Sequence, residues 1–348
     1  MPMSKELYIA TNNGDMGGGE MMLMALARQA RSLGYAVTIV GPAQPAQLIE
    51  AAADEGFRRI ALPATNRVQY MASLRAWHAK HKDKLLWCNG LVPAVATGGR
   101  KNRIVHLHQL PAGLNAKLLP FARRKALATL VPSKFMAAKI PNTEVLHNWV
   151  SGIAHTPDNA YGDSTICRIG FIGRLTPIKG ITVLAEAIAL LNCDTKKYHL
   201  VIAGEPVFTS EDDKRTVTEA LNKVASTTTE LGWVSPEELY SQIDILVVPS
   251  QWEEPFGLVA AEAMSARIPL VVTRSGGLPE VVGESYPFMV DRGEPQALAE
   301  TIEKISKNLR DFPEDIERIT NHLFWRWQEH FSPEAARANV RAILERFL

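Results

Sequence analysis

Short apolar runs alternate along this chain with longer amphipathic segments, a pattern that predicts repeated strand–loop–helix units. Residues 7–9 form an apolar run of strand type. The glycine-rich stretch TNNGDMGGGE separates it from MMLMALARQARSLG, whose apolar spacing is helical. Gly34 signals the end of that helix and YAVTIVG predicts the next strand, so the chain opens with a βαβ unit. Strand character recurs at residues 58–63, at LLWCNG and from Arg103 through IVHLHQLP, with a helix around residues 68–81. Residues 127–140 read as a strand, a turn capped by Ser133 and a helix. The alternation continues with strands over 168–172, 199–204, 245–248 and 270–272, and helices over 182–191, 211–226 and 297–309. LVAAEAMSA, between the last two strands, is apolar on most faces and therefore an internal helix. Helical sequence broken at Ser332-Pro333 closes the chain. Strands that are apolar throughout and joined by helices define an α/β class with parallel sheets.

Composition sets the scale. A chain of 348 residues that is 46% hydrophobic buries large cores and is expected to form two domains. Cys88, Cys167 and Cys193 stand far apart without metal-ligand spacing, as reduced thiols of a cytosolic protein do. No window reaches about 18 apolar residues, and the apolar run in MPMSKELYIAT is too short for a signal peptide. The net charge of +1 conceals a division. Residues 1–150 hold 19 Lys and Arg against 8 Asp and Glu, whereas residues 151–348 hold 19 against 29. Nine of the basic residues fall between Arg100 and Asn142 with no acid among them, a directed positive field.

Candidate chemistry sits where strands run into helices. The strand ending at Val248 leads into a polar turn, which puts Glu254 in a loop and Glu262 in the second turn of the next helix. Both then lie near the carboxyl edge of a parallel sheet, where such sheets bind ligands. The pair suits acid–base work, hydrogen bonding to a polyhydroxylated ligand, or merely a capped helix with two solvated acids. Arg174 and Lys179, between Gly173 and Gly180, place two cations before a helix; they neutralise a diphosphate or face solvent. Gly14, Gly17, Gly18 and Gly19 lack the spacing of a dinucleotide fingerprint. They let backbone amides approach an anion or a sugar, or simply form a tight turn. His106 and His108 share one face of a strand end, as structural residues or as site residues. No Asp-x-Asp occurs.

Four loops in this order, spread over nearly the whole chain, resemble those of the retaining glycosyltransferases of family 4, the glycosyltransferase group 1 enzymes. They are Gly17-Gly18-Gly19-Glu20, Gly173-Arg174-Leu175 with Lys179-Gly180, Glu254 through Pro255-Phe256-Gly257 to Glu262, and Gly276-Gly277 with Glu280. The resemblance implies the GT-B fold, two Rossmann-like domains facing a central cleft. Residues 1–150 would be the acceptor-side domain and 151–332 the donor domain, with the C-terminal helix 333–348 crossing back to the first. It implies Gly173, Arg174 and Lys179 at the donor diphosphate, with the backbone of Gly257 and Leu258 on the phosphates. Glu254 would hold the donor sugar and Glu262 the ribose hydroxyls. Val234, with Gly232 and Trp233, would clasp the base, and Gly204 and Phe256 complete the donor site. Gly17 and Gly18 would face the donor phosphates and the acceptor, and His108, or in its place His106, the reacting sugar. The sequence departs from the family at Arg267, where a glycine is usual, and in the interdomain connector at His147, Trp149 and Ser151.

The reaction so implied moves a sugar from a nucleotide-sugar, foremost a UDP-sugar, to a sugar-bearing acceptor with retention of configuration. It uses no cofactor and no metal. Arg174, Lys179, Glu254 and His108 are the catalytic set, with Glu254 positioning the sugar rather than attacking it. A glycosidase-like use of Glu254 and Glu262 would need carboxyls about 5–9 Å apart around one sugar. The expected setting is lipopolysaccharide, glycolipid or capsule assembly in the cytoplasm, with a lipid-linked acceptor. The basic residues 100–142 would then lie against the anionic inner face of the membrane, or else form a solvated face; nucleic acid is not expected. Alternatives are glycosylation of a soluble natural product, a GT-B epimerase or phosphorylase, and a non-catalytic nucleotide-sugar-binding subunit.

Overall fold

The computed structural model describes residues 5–154, 166–194, 197–206 and 210–348. Residues 1–4, part of the N-terminal stretch read for targeting, lie outside that set. The chain divides into two compact units, Met1–Trp149 with Pro333–Leu348, and Val150–Ser332.

The first unit begins β1 (Glu6–Ala10), α1 (Gly18–Ser32), β2 (Ala36–Pro42), α2 (Gln47–Asp54), β3 (Arg58–Leu62) and α3 (Arg67–Lys80). It continues β4 (Leu85–Asn89), α4 (Leu91–Ala96), β5 (Arg103–His106), α5 (Leu114–Arg123), β6 (Ala128–Val131), α6 (Lys134–Lys139) and β7 (Glu144–Val145). All strands pair in parallel, in the order β3-β2-β1-β4-β5-β6-β7. Every residue of β4 and β5 is buried, the polar Asn89, Arg103 and His106 at their ends included. The Ser133 hydroxyl accepts from the Met136 amide at 3.1 Å, the expected cap.

The second unit runs β8 (Cys167–Ile172), α7 (Ile181–Leu191), β9 (Tyr198–Ala203), α8 (Glu211–Asn222), β10 (Thr228–Gly232) and α9 (Pro236–Tyr240). Then come β11 (Ile245–Val248), α10 (Leu258–Ser265), β12 (Leu270–Thr273), α11 (Leu278–Val282), β13 (Met289–Val290), α12 (Pro295–Asp311) and α13 (Pro313–His330). Its parallel sheet has the order β10-β9-β8-β11-β12-β13. The helix expected over 211–226 stops at Asn222, because a 3-10 turn at Ala225–Thr227 carries the chain into β10.

The last helix, α14 (Pro333–Phe347), belongs to the first unit. It buries Ala336, Val340, Ile343 and Leu344 and packs against α1. Gln29 donates to the Pro333 carbonyl at 2.9 Å, and Arg346 holds both carboxylate oxygens of Glu144 at 2.8 and 2.9 Å. Arg267, at the end of α10, has φ +55°, a conformation glycine adopts without strain. Its guanidinium lies 3.5 Å from the Phe324 ring centroid and bonds Asn321 at 2.9 Å, contacts that offset the backbone cost.

In both sheets the order of strands reverses once, between β1 and β4 and between β8 and β11. Chains leaving the carboxyl ends of these strand pairs turn to opposite sides and leave a crevice for a ligand.

Candidate functional site

At the reversal in the second unit, the loop after β8 carries Gly173, Arg174 and Lys179, and the loop after β11 carries Ser250 and Glu254. Lys179 Nζ lies 2.5 Å from Glu254 Oε1, and the Ser250 hydroxyl donates to the same oxygen at 2.7 Å. The two loops are thus tied across the crevice by a largely buried ion pair. Gly180 makes this approach possible: a Cβ there would fall 1.8 Å from the Pro249 carbonyl oxygen. Behind Glu254, Gly276 has φ +58° and would place a Cβ 2.1 Å from the Glu254 carbonyl, while the Gly277 amide bonds that carbonyl at 2.7 Å. The Gly276-Gly277 turn therefore fixes the backbone of Glu254. Among the described residues, the Arg174 guanidinium enters no hydrogen bond or ion pair and stays available to an anion.

The other expected donor residues fall on the same edge. Gly173 and Gly204 end their strands, with the Gly204 amide bonding the Gly232 carbonyl at 2.7 Å. Gly257 precedes α10 and Leu258 is its first residue. Val234 is partly buried against the core. Phe256 is 2% exposed and meets Phe331 edge-on at 5.3 Å, so its side chain serves the core and only its backbone faces the loop. Burial, aided by the charge of Glu237, raises the Glu262 carboxyl to about 7. The nearby Tyr240 hydroxyl is pushed well up, chiefly by burial, and has no hydrogen-bond partner among the described residues.

The reversal in the first unit is neutral by comparison. Gly17 precedes α1 in extended conformation, and Gly18 and Gly19 open the helix. Glu20 is buried and accepts from the Thr11 hydroxyl at 3.2 Å, and burial outweighs its hydrogen bonds to raise its carboxyl. Asn89, the last residue of β4, donates to the Gly19 carbonyl at 3.1 Å and meets His108 Nε2 at 2.7 Å. His108 lies just past β5, its ring 4.2 Å from that of His106. Burial lowers His108 to about 4 and holds His106 well below the usual histidine range, so both are neutral at pH 7. His106 is 2% exposed and edge-on to Trp87, whereas His108 is partly exposed, with its Nε2 held by Asn89 and its Nδ1 buried.

Sequence reasoning singled out neither Ser250 nor Asn89. Their signal was position: each is a polar residue closing an apolar strand. A groove of about 800 Å³ lined by Leu119, Phe121, Arg124 and Leu127 opens beside the first residues of β6 and β7. It lies on the opposite sheet edge from His108, away from these candidates.

Residues 165–321 match the family of glycosyl transferases group 1. The chain is 29% identical over 160 residues to the lipopolysaccharide 1,2-N-acetylglucosaminetransferase of Salmonella typhimurium, covering 44% of this chain and 41% of that one. It is 38% identical over 142 residues to the D-inositol 3-phosphate glycosyltransferase of Corynebacterium efficiens, covering 38% and 33%. The chain thus spans less than half the length of these relatives. Among solved structures, Anabaena Alr3699/HepE in complex with UDP and glucose superposes with a TM-score of 0.81 at 19% identity, over 98% of this chain and 99% of that one. The fold is GT-B, and the match to the group 1 family falls within the second unit.

Proposed function

We propose that this protein is a metal-independent, retaining glycosyltransferase that moves a sugar from a nucleotide-sugar to an acceptor hydroxyl. The observation that carries this reading is the Lys179–Glu254–Ser250 cluster across the second reversal, with the unengaged Arg174 in the loop that carries Lys179. Arg174 and Lys179 neutralise the diphosphate, and their charge gains most as that group departs. Glu254, fixed by Ser250 and the Gly276-Gly277 turn, accepts hydrogen bonds from the donor sugar. Glu262 accepts from the ribose hydroxyls. The match of residues 165–321 to the group 1 family supports retention with no enzyme nucleophile, the departing phosphate taking the acceptor proton. A bound UDP in the Anabaena structure favours a UDP-sugar first. The deciding experiment incubates the protein with UDP-, GDP- and ADP-sugars and acceptor hydroxyls, and reads anomeric configuration by NMR. A retained anomer formed in EDTA supports the reading; inversion, or activity that only Mg²⁺ restores, overturns it.

The acceptor we propose is membrane-borne and belongs to the cell envelope, as the Salmonella relative's name suggests for that protein. In α5 only Ala122 is buried, while Leu114, Leu118 and Phe121 are 78%, 43% and 43% exposed. Their spacing makes one stripe, and Lys117, Arg124 and Lys125 flank it in a region without acids. An exposed apolar stripe bordered by cations fits an anionic bilayer surface. No helix among the described residues is long and apolar enough to cross a membrane.

A further inference from the structure

Asn89 is bound on both sides of its amide, and the geometry settles which way it points. The Gly19 carbonyl can only accept, so the group 3.1 Å away is the Asn89 NH₂. The Asn89 oxygen therefore faces His108 at 2.7 Å, and because an amide oxygen only accepts, His108 Nε2 carries the hydrogen. In a neutral imidazole the other nitrogen, Nδ1, then holds a lone pair. Nδ1 is buried and has no partner among the described residues, an unsatisfied acceptor. Gly19 closes the arrangement from the helix side: a Cβ at that position would lie 3.9 Å from His108 Cδ2.

We propose that Asn89 is a positioning residue that holds His108 in the Nε2–H tautomer and fixes its ring, so that Nδ1 is the one nitrogen of that imidazole left as an acceptor. The amide joins the carboxyl end of β4 to the first turn of α1, the two segments that flank the reversal of the first sheet. It sets the ring orientation and the hydrogen-bonding sense of the imidazole together. The kinetic part of this inference rests on the glycosyltransferase reading; the tautomer itself does not.

The test takes the full chain with ¹⁵N-labelled histidine and reads long-range ¹H–¹⁵N correlations at pH 7, where His108 is neutral. The expected result is a pure Nε2–H tautomer for His108 in the wild type and a mixture in Asn89→Ala. Asn89→Asp still accepts from Nε2–H, so it keeps the tautomer and moves His108 titration to higher pH. A wild-type Nδ1–H tautomer overturns the proposal, as does an unchanged tautomer and titration in both variants. In turnover, Asn89→Ala is expected to lose about 10- to 100-fold in kcat/KM, as when partners that orient metal-ligating histidines are removed. That loss should vanish in a His108→Ala background, whereas a merely structural asparagine would give additive losses. Additive losses therefore overturn the positioning role. If the wild type turns over no nucleotide-sugar, the glycosyltransferase reading fails while the tautomer result stands on its own.

Discussion

At the reversal of the second sheet, a lysine and a hydroxyl both bond one carboxylate, with an arginine close by in sequence. At the reversal of the first, the groups are an amide, two neutral imidazoles and a carboxyl whose ionisation is disfavoured by burial. The halves of the chain carry the opposite bias, for residues 1–150 hold the cationic excess and 151–348 the acidic one. Net charge therefore says little about the charge of a site. The second unit places two cations in the loop after its first strand, and the first spends several of its own on structure. Arg103 is fully buried and donates to the carbonyls of Ala94, Arg100, Ala122 and Arg124, and Arg123 holds those of Pro141 and Asn142. An anionic donor group calls for the former edge and uncharged hydroxyls for the latter.

The sharpest way to break this comparison is to remove the cations. Arg174→Ala or Lys179→Ala should cost about 2–4 kcal/mol of transition-state stabilisation, judged from the removal of other preorganised charge stabilisers. Both should also weaken UDP binding in calorimetry. His108→Ala should lower turnover while leaving UDP affinity unchanged. If the histidine and the cations affect UDP binding equally, the division between an anion site and a hydroxyl site is wrong.

The strand–helix alternation and the glycine-marked loops were legible because they depend on local pattern: an apolar run, a turn residue, a helical stripe. Arg174, Lys179, Glu254 and Glu262 could be named for the same reason, each beside a loop signal. What the sequence hides is pairing. Lys179 reads as a free phosphate ligand, yet without ligand it bonds Glu254, a residue 75 positions away. Gly276-Gly277 reads as an exit turn, and its role behind Glu254 depends on a backbone approach that no periodicity encodes. The basic run from Arg100 to Asn142 reads as one surface because a residue count cannot tell a guanidinium facing carbonyls from one facing water. Asn89 ends an apolar strand without drawing notice, since its two partners come from separate segments.

A second test sharpens the comparison through pH, because both edges contain buried acids. Glu262 is raised from 4.5 to about 7 in the fold. The folded state then binds more protons than the unfolded chain between those values, so stability falls as pH rises through that window and levels off above it. Replacing the acid by glutamine removes the slope. Relative to wild type, Glu262→Gln should gain on the order of 2 kcal/mol in urea unfolding between pH 5 and pH 8. On the proposed ribose contact, UDP binding by this variant should be weaker at pH 8, where the wild-type carboxylate is ionised. Parallel stability curves from pH 5 to pH 8 would show that Glu262 is not buried as described.

The smallest effects per residue are expected at α5, where the cations of the first unit do face outward. Lys117, Arg124 and Lys125 are exposed, unlike Arg103 and Arg123. A cation near an anionic leaflet contributes about 1 kcal/mol, so neutralising all three to Gln should weaken vesicle binding about 100-fold. The protein is expected to sediment with phosphatidylserine-containing vesicles and not with phosphatidylcholine alone, with binding declining as salt shortens the Debye length below about 8 Å. Replacing Leu118 by Ser should reduce binding at high salt more than at low salt, because its share comes from apolar area rather than charge. Arg123→Gln serves as the contrast: it leaves the carbonyls of Pro141 and Asn142 without their donor and should lower the unfolding midpoint. UDP binding should be untouched in the triple variant, since the anion site proposed at Arg174 and Lys179 lies in the other unit. Sedimentation that ignores lipid charge, or none at low salt, would remove the membrane from the acceptor reading and favour a soluble acceptor.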